Sequence, residues 1–176
     1  MRWQLLFDDL EAQLATARAA QAREAVADLV RAEAATTHLA DRLRASLGGT
    51  LRLDLGPLAG EPEAMVDGRL TDVGEGWLLL GEPAGRQTLV ALAAVQAVTG
   101  LAPHVAPDEG RVRRGLGLPH AVRALARDRT EVQLSTRGRT LVGRIGRVGA
   151  DYLEVTGSAG AVWTVPLDRV VVVRSA

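Results

Sequence analysis

Apolar side chains recur at helical spacing over the first part of the chain. This face consists of Trp3, Leu6, Phe7, Leu10 and Leu14. Steps of three and four residues place side chains on one side of an α-helix, and neither glycine nor proline interrupts the chain before Gly48-Gly49. Later apolar patches do not continue the same stripe. The pattern predicts one long helix that bends near Thr36 and Thr37, or a pair of helices, within residues 3–47.

This apolar face has two interpretations. Amphipathic helices commonly bury their apolar side against the rest of their own fold, which would make the face a packing surface. The alternative is a protein interface through which the chain docks on a partner or dimerises. We keep both interpretations, with packing as the commoner outcome.

After residue 48 the pattern changes to short apolar segments separated by turn residues, which is typical of β-strands. Residues 68–80, GRLTDVGEGWLLL, recur 75 residues later as GRIGRVGADYLEV. The register continues without a gap to Val98 and Val173, and 11 of the 31 paired positions are identical. The first strands match at an offset of 81, because the first copy carries six extra residues within Gly56–Met65. The chain therefore contains an internal duplication.

Each copy is predicted to form five strands. In the second copy we expect them at Glu131–Ser135, Thr140–Val148, Tyr152–Thr156, Ala161–Val165 and Val170–Arg174. Gly68 and Gly143 lie inside the second strand of their copies, where glycine usually permits a bend or a bulge. Pro119 is expected to open a short helix to about Arg127, because proline suits the first helical turn.

These elements predict an α+β fold that is mainly β. We expect an N-terminal long helix or helical pair, followed by two repeated five-stranded barrels, each led in by a helix. The predicted domains are a helical arm (1–47), a first small barrel (48–100), a linker with a short helix (101–128) and a second small barrel (129–176). Four consecutive valines, Val170–Val173, predict a strand shielded on both faces. The two copies should therefore pack together.

The strand pattern of the second copy is similar to that of a known family. The matching segments are Val132-Gln133-Leu134, the turn at Gly138, Leu141–Ile145, Asp151-Tyr152-Leu153 and Val170–Val173. They resemble the Sm-like (Hfq-like) family of RNA-binding small barrels, whose pattern other SH3-like barrels share. The resemblance covers about 45 residues of each copy. Gly74 and Gly149 stand where that family has an RNA-contacting Asp, and its Asn and its arginine–glycine pair are missing. The resemblance thus implies the fold more than the RNA site.

A net charge of zero hides an asymmetry between the halves of the chain. Residues 1–100 contain 9 Arg and 14 Asp or Glu, whereas residues 101–176 contain 12 Arg and 7 Asp or Glu. The densest basic run consists of Arg111, Arg113, Arg114, Arg123, Arg127, Arg129, Arg137 and Arg139. It is either a surface that contacts phosphates or a solvated face that pairs with the acidic half of the chain.

The sequence contains no residue constellation typical of catalysis or metal binding. Cysteine and lysine are absent, which excludes disulfides, thiolate metal sites and a P-loop lysine. His38, His104 and His120 lie on separate segments without carboxylates at ligand spacing. Residues 143–149 read G-x-x-G-x-x-G ahead of a strand, so they do not form a dinucleotide loop. We expect no catalytic residues, no metal, no cofactor and no small-molecule substrate.

The remaining features favour an interaction protein. Apolar stretches stay well below the roughly 18 residues that a membrane span needs, and Asp8, Asp9 and Glu11 interrupt the apolar start of the chain. We therefore expect no membrane partner and a cytoplasmic location. The predicted function is a non-enzymatic interaction or scaffold protein that binds a protein partner or self-associates. The alternative is an Sm-like nucleic-acid-binding protein that contacts RNA through its basic C-terminal half.

Overall fold

The structure is a computed structural model that describes residues 18–26, 28, 31–32, 35–82, 85–103 and 116–175. The chain divides into two compact units, residues 1–38 and 39–176. Residues 18–26 of the first unit are helical and exposed. Among the helices of the described residues, none is long and apolar enough to cross a membrane.

The second unit contains two α-helices within its described residues. Helix α1 spans Leu39–Ala45 and buries Leu43, and helix α2 spans Leu118–Arg127 and buries Ala121 and Val122. Proline stands in the first turn of α2, where its missing amide hydrogen costs no helical hydrogen bond. The helix predicted from the proline to about Arg127 is confirmed.

The described residues of the second unit form ten strands. They are β1 (Thr50–Asp54), β2 (Met65–Gly74), β3 (Trp77–Gly81), β4 (Gln87–Ala91), β5 (Ala97–Thr99), β6 (Glu131–Ser135), β7 (Thr140–Val148), β8 (Tyr152–Thr156), β9 (Val162–Pro166) and β10 (Val172–Ser175). Short 3₁₀ turns, Leu92–Ala94 and Leu167–Arg169, follow β4 and β9. The 75-residue offset therefore relates β3 to β8, β4 to β9 and one 3₁₀ turn to the other.

All ten strands belong to one antiparallel sheet. Its order is β5-β1-β2-β3-β4-β10-β6-β7-β8-β9, which is the same five-strand order written twice. The prediction of two repeated, closed five-stranded barrels, led in by a long N-terminal helix, is wrong. In a closed barrel, the two edge strands of one copy would pair with each other. Here β4 of the first copy pairs with β10 of the second copy instead, so the sheet stays open. The helix directly before β1 is short, and residues 37–38 ahead of it are not helical.

Strand β10 lies in the middle of this sheet. It pairs with β4 through Val172–Val90, Val173–Leu89 and Arg174–Thr88, and with β6 on its other side. The residues Val170–Val173 are all buried, as predicted from the run of four valines. Val171 and Val172 belong to the apolar cluster of the first half, whereas Val170 and Val173 belong to that of the second. One strand thus contributes side chains to both cores.

The bend predicted at the mid-strand glycines has a structural counterpart. The pairing of β2 with β3 shifts register between Leu70 and Asp72, and that of β7 with β8 shifts between Ile145 and Val148. At Gly143, an added Cβ atom would lie 2.2 Å from the carbonyl oxygen of Thr156. That oxygen is backbone and cannot rotate away. The close approach of β8 to β7 therefore requires glycine at this position.

Replacing Gly143 with alanine should destabilise the fold by about 1–3 kcal/mol, since the new methyl group forces a backbone shift. Gly146→Ala is the matched control in the same strand, because its nearest neighbour outside the adjoining residues lies 3.8 Å away. The control should leave stability unchanged or raise it by up to about 1 kcal/mol. Urea unfolding of both variants measures the difference. Equal stabilities would contradict the close approach.

Candidate functional site

The residues that the sequence singled out do not form one surface. Trp3, Leu6, Phe7, Leu10 and Leu14, together with Arg111, Arg113 and Arg114, lie outside the described residues. Of the remaining candidates, Arg123 and Arg127 lie on α2, while Arg137 and Arg139 lie between β6 and β7. The basic run is therefore divided between at least two places, with different partners in each.

Arg137 joins the two halves of the sheet. Its Nη1 donates a hydrogen bond of 2.7 Å to the Leu55 carbonyl, and its Nη2 donates one of 3.4 Å to the Ala94 carbonyl. Both acceptors belong to the first half, whereas Arg137 belongs to the second. A guanidinium group offers several donors in a fixed plane, so one side chain can bind both carbonyls. We call this pair of bonds the Arg137 latch. Two donors of this exposed arginine are therefore occupied by backbone carbonyls of the first half.

Arg139 lies against an exposed aromatic ring. Its guanidinium carbon is 4.5 Å from the centre of the Trp163 ring, within the range of a cation–π interaction. Trp163 itself remains 43% exposed and adjoins Val162, which is 59% exposed. A cavity of 650 Å³ opens beside Trp163, between the β6–β7 turn, β9 and the 3₁₀ turn that follows β4. The lining also includes Arg137, Asp168 and Arg169, so charged side chains border the apolar surface.

Both exposed side chains belong to β9, which ends the sheet on one side. Gly157 donates its amide hydrogen to Ala161 at the start of the β8–β9 hairpin, and amides alternate in direction along a strand. The amides of Val162 and Thr164 therefore point away from β8, toward the open side. The segment VWTVP contains no charge. Open edges usually carry charges or proline that discourage pairing, and here only Pro166 at one end does so. We define Val162–Pro166 as the β9 edge and treat it as a candidate interaction site.

Strand β4 shows how the corresponding edge of the first copy is used. The last four residues of β4 are buried, with Thr88 fully inaccessible, whereas β9 buries Val165 alone. The difference arises because β10 covers β4. Ala91 also donates its amide hydrogen to the Val171 carbonyl at 3.0 Å, but its counterpart in β9 is Pro166, which has no amide hydrogen. The β9 edge resembles the β4 edge with one donor removed.

The opposite end of the sheet is β5, the counterpart of β10. Its three residues, Ala97, Val98 and Thr99, are uncharged and at most half-buried. The adjacent Arg52 is engaged, because its Nε lies 2.6 Å from Asp67 Oδ1. This hydrogen bond, together with the carboxylate charge, raises the pKa of Arg52. The sheet thus ends in two uncharged edges.

A separate basic patch lies where α2 packs on β7. Arg123, Arg127 and Arg129 line a shallow cavity of 660 Å³ with Ile145, Gly146 and Val148. Arg123 donates to the Gly149 carbonyl at 2.7 Å. Arg129 has φ 49°, the left-handed conformation in which helices often end. The lining of this cavity includes no carboxylate, so we name these three arginines the α2 patch.

A third cavity, of 320 Å³, lies beneath α2. Its lining consists of Asp72, Trp77, Leu79, Gln87, Leu89, Leu116, His120, Ala121, Ala124, Leu125 and Asp128. The Trp77 indole donates to the Leu116 carbonyl at 2.7 Å.

In the part of the chain that the structure describes, no three His, Asp or Glu side chains come together as a metal site.

Comparisons of the chain with models of protein families, with curated proteins and with solved structures find no match. The resemblance to the Sm-like family therefore stays a prediction.

A difference between the two copies of the repeat marks the β9 edge in the sequence. Aligning the copies at the 75-residue offset places Trp163 opposite Thr88 and Pro166 opposite Ala91. An aromatic residue and a proline appear where the first copy has small residues. Such differences within a duplicated strand indicate that the two strands have different neighbours, because a buried ladder position disfavours proline.

The Arg137 latch should contribute to the stability of the whole sheet. Arg137→Ala leaves the Leu55 and Ala94 carbonyls without this donor, which should lower the free energy of unfolding by about 1–3 kcal/mol. The matched control is Arg169→Ala, because that side chain is exposed and lies 3.6 Å from Asp168. Exposed ion pairs contribute little, so the control should change stability by less than about 0.5 kcal/mol. Chemical denaturation measures both, and a latch variant as stable as the control would contradict this role.

Proposed function

We propose that this chain is a non-enzymatic interaction protein that acts as a scaffold by accepting a β-strand from a protein partner along its β9 edge. The observation that carries the proposal is the contrast between β4 and β9. Two strands with corresponding positions differ in burial because one has a neighbour on each side and the other has not.

Strand addition suits this edge for two physical reasons. The outward amides of Val162 and Thr164 can bond to an added backbone, which supplies affinity in this mode of recognition. Trp163 and Val162 supply an apolar surface of the kind that anchors protein interfaces, where tryptophan is frequent among the residues that dominate binding. Arg139 on the Trp163 ring adds a polar margin, as interface rims usually have.

A direct test uses a labelled peptide with the sequence of residues 169–176, which contains the strand that covers β4. Fluorescence anisotropy should show saturable binding to the full chain. Thr164→Pro should abolish the binding, because proline removes an outward amide while remaining tolerated at a sheet edge. The matched control is Thr156→Ser on β8, which leaves the β9 amides in place.

The proposal is contradicted if the peptide does not bind, or if it binds the Thr164→Pro variant and the wild type equally. Thermal melting of each variant establishes that the fold persists. A loss of binding that accompanies unfolding of Thr164→Pro is resolved by Thr164→Lys, since lysine on an edge discourages pairing without changing the backbone.

The α2 patch supports the second candidate function, RNA binding. Its three arginines lie on one side of α2 and its C-terminal turn, around a cavity whose lining contains no carboxylate. Contacts of this kind neutralise phosphates and are independent of base sequence. The patch has no aromatic side chain in its lining, so stacking on bases does not add to it.

If RNA binds here, replacing Arg123, Arg127 and Arg129 together with alanine should flatten the salt dependence of binding. Three phosphate contacts at roughly 0.7 each correspond to a slope change of about two units for a single strand. The control replaces Arg18, Arg23 and Arg169, which removes the same charge from other exposed positions. Titration of labelled single-stranded RNA at several salt concentrations measures the slopes. Equal slopes in the two triple variants, or no binding at low salt, would exclude the α2 patch as an RNA-binding site.

A further inference from the structure

We infer that the strand accepted by the β9 edge is β5 of a second copy of this chain, so that copies associate head to tail. The inference rests on the proposed function, since it names the partner of the same edge. Its starting point is the sheet order, in which one five-strand sequence occurs twice and is joined through its fourth and fifth strands.

The internal junction pairs the fourth strand of one half with the fifth strand of the other. The free ends of the sheet are β9, the fourth strand of the second half, and β5, the fifth strand of the first half. They are therefore the same two kinds of edge that the internal junction pairs. If a second copy binds β9 in the way that the second half binds β4, the strand that it contributes to the contact is its β5. Each copy therefore carries both strands of such a junction, one at each end of its sheet.

The register of the internal junction predicts the pairs in the new one. Val172–Val90, Val173–Leu89 and Arg174–Thr88 pair inside the chain. The 75-residue offset converts them to Ala97–Val165, Val98–Thr164 and Thr99–Trp163, with the first residue of each pair from the second copy. Valine, threonine and tryptophan favour strands, and the pairs bring no charge into the contact. Trp163 gains a cross-strand neighbour that would cover its exposed ring.

The same comparison indicates that the junction between copies is weaker than the internal one. Pro166 lacks the amide hydrogen that Ala91 donates to Val171. At the 81-residue offset of the first strands, Arg137 corresponds to Gly56, so the second copy brings no equivalent of the Arg137 latch. β5 has three residues against four in β10. The association should therefore be reversible and depend on protein concentration, unlike the covalently linked internal junction.

A contact between two different edges has a consequence for assembly. Each copy that binds through one edge still exposes the other, so the contact repeats until the edges meet in a ring or continue as a filament. A contact between two identical β9 edges would instead stop at a dimer. The two arrangements are therefore distinguished by variants that block one edge at a time.

The experiment is sedimentation velocity of the full chain over a range of concentrations, with one variant blocked at each edge. Thr164→Pro blocks the β9 edge and Val98→Pro blocks the β5 edge. The wild type should show an average mass that rises with concentration. Each variant alone should remain monomeric, but a mixture of the two should form one-to-one dimers, since each supplies the edge that the other lacks. Pro166→Ala restores the missing donor and should tighten association about two- to tenfold.

Several results would overturn the inference. A wild type that stays monomeric, a Val98→Pro variant that still associates, or a mixture that stays monomeric would each exclude head-to-tail pairing. Association that persists in both variants would run through another surface. If a proline variant does not keep the melting temperature of the wild type, Thr164→Lys and Ala97→Lys, both at exposed positions, carry the same test.

Failure of this inference and failure of the proposed function have different signatures. If the peptide of residues 169–176 binds the β9 edge while the wild type stays monomeric, the edge accepts strands but its partner is another protein. If neither the peptide nor a second copy binds, the edge does not accept strands and both proposals fail. If the mixture of blocked variants forms dimers, both proposals are supported together.

Discussion

The pairing of β10 with β4 is the constraint on which the rest of the second unit depends. β10 belongs to the second copy of the duplicated sequence, yet it pairs with β4 of the first copy and with β6 of its own. Its two valines, Val172 and Val173, belong to different apolar clusters, because successive side chains in a strand point to opposite faces. Neither half can therefore keep its core while losing this strand, and the Arg137 latch acts across the same junction.

The junction also explains why two copies of one sequence are not equivalent. Pairing β4 with β10 uses one edge of each half and leaves the other edge of each half open. Because β4 and β9 have different neighbours, matching positions in the two strands favour different residues. Thr88 fits a position closed on every side, whereas Trp163 at the matching position is partly exposed with Arg139 against its ring. Pro166 is compatible with an edge and replaces an alanine whose amide is bonded in the first copy.

Local patterns in the sequence predicted the elements well and their assembly poorly. The strands expected at Glu131–Ser135, Thr140–Val148 and Tyr152–Thr156 occur with those bounds, because alternating apolar residues and turn residues define them locally. The strand expected at Val170–Arg174 begins two residues later, after a 3₁₀ turn that the pattern does not reveal. Whether the fourth strand pairs within its copy or across copies depends on contacts distant in sequence, and periodicity carries no information about them.

For the candidate sites, too, the sequence predicted local features better than their assembly. Clustering of arginines along the chain left two interpretations open, a phosphate-contacting surface or a solvated face. Folding separated Arg137 and Arg139 from the α2 patch, and the contacts of Arg137 depend on carbonyls from the other copy. The β9 edge was not predicted, since an edge exists only once the order of the sheet is known. The differences between the two copies, Trp163 for Thr88 and Pro166 for Ala91, are what indicate it in the sequence.

Strands β4 and β9 occupy equivalent positions in the two copies, but β10 covers β4 whereas β9 lies at the edge of the sheet. Amide hydrogen exchange, measured residue by residue at increasing protein concentration, tests this most directly. The Ala91 amide should be protected at every concentration, whereas the Val162 and Thr164 amides should exchange rapidly in dilute solution and become protected as copies associate. Protection of Thr164 at the lowest concentration, or rapid exchange of Ala91, would contradict the account.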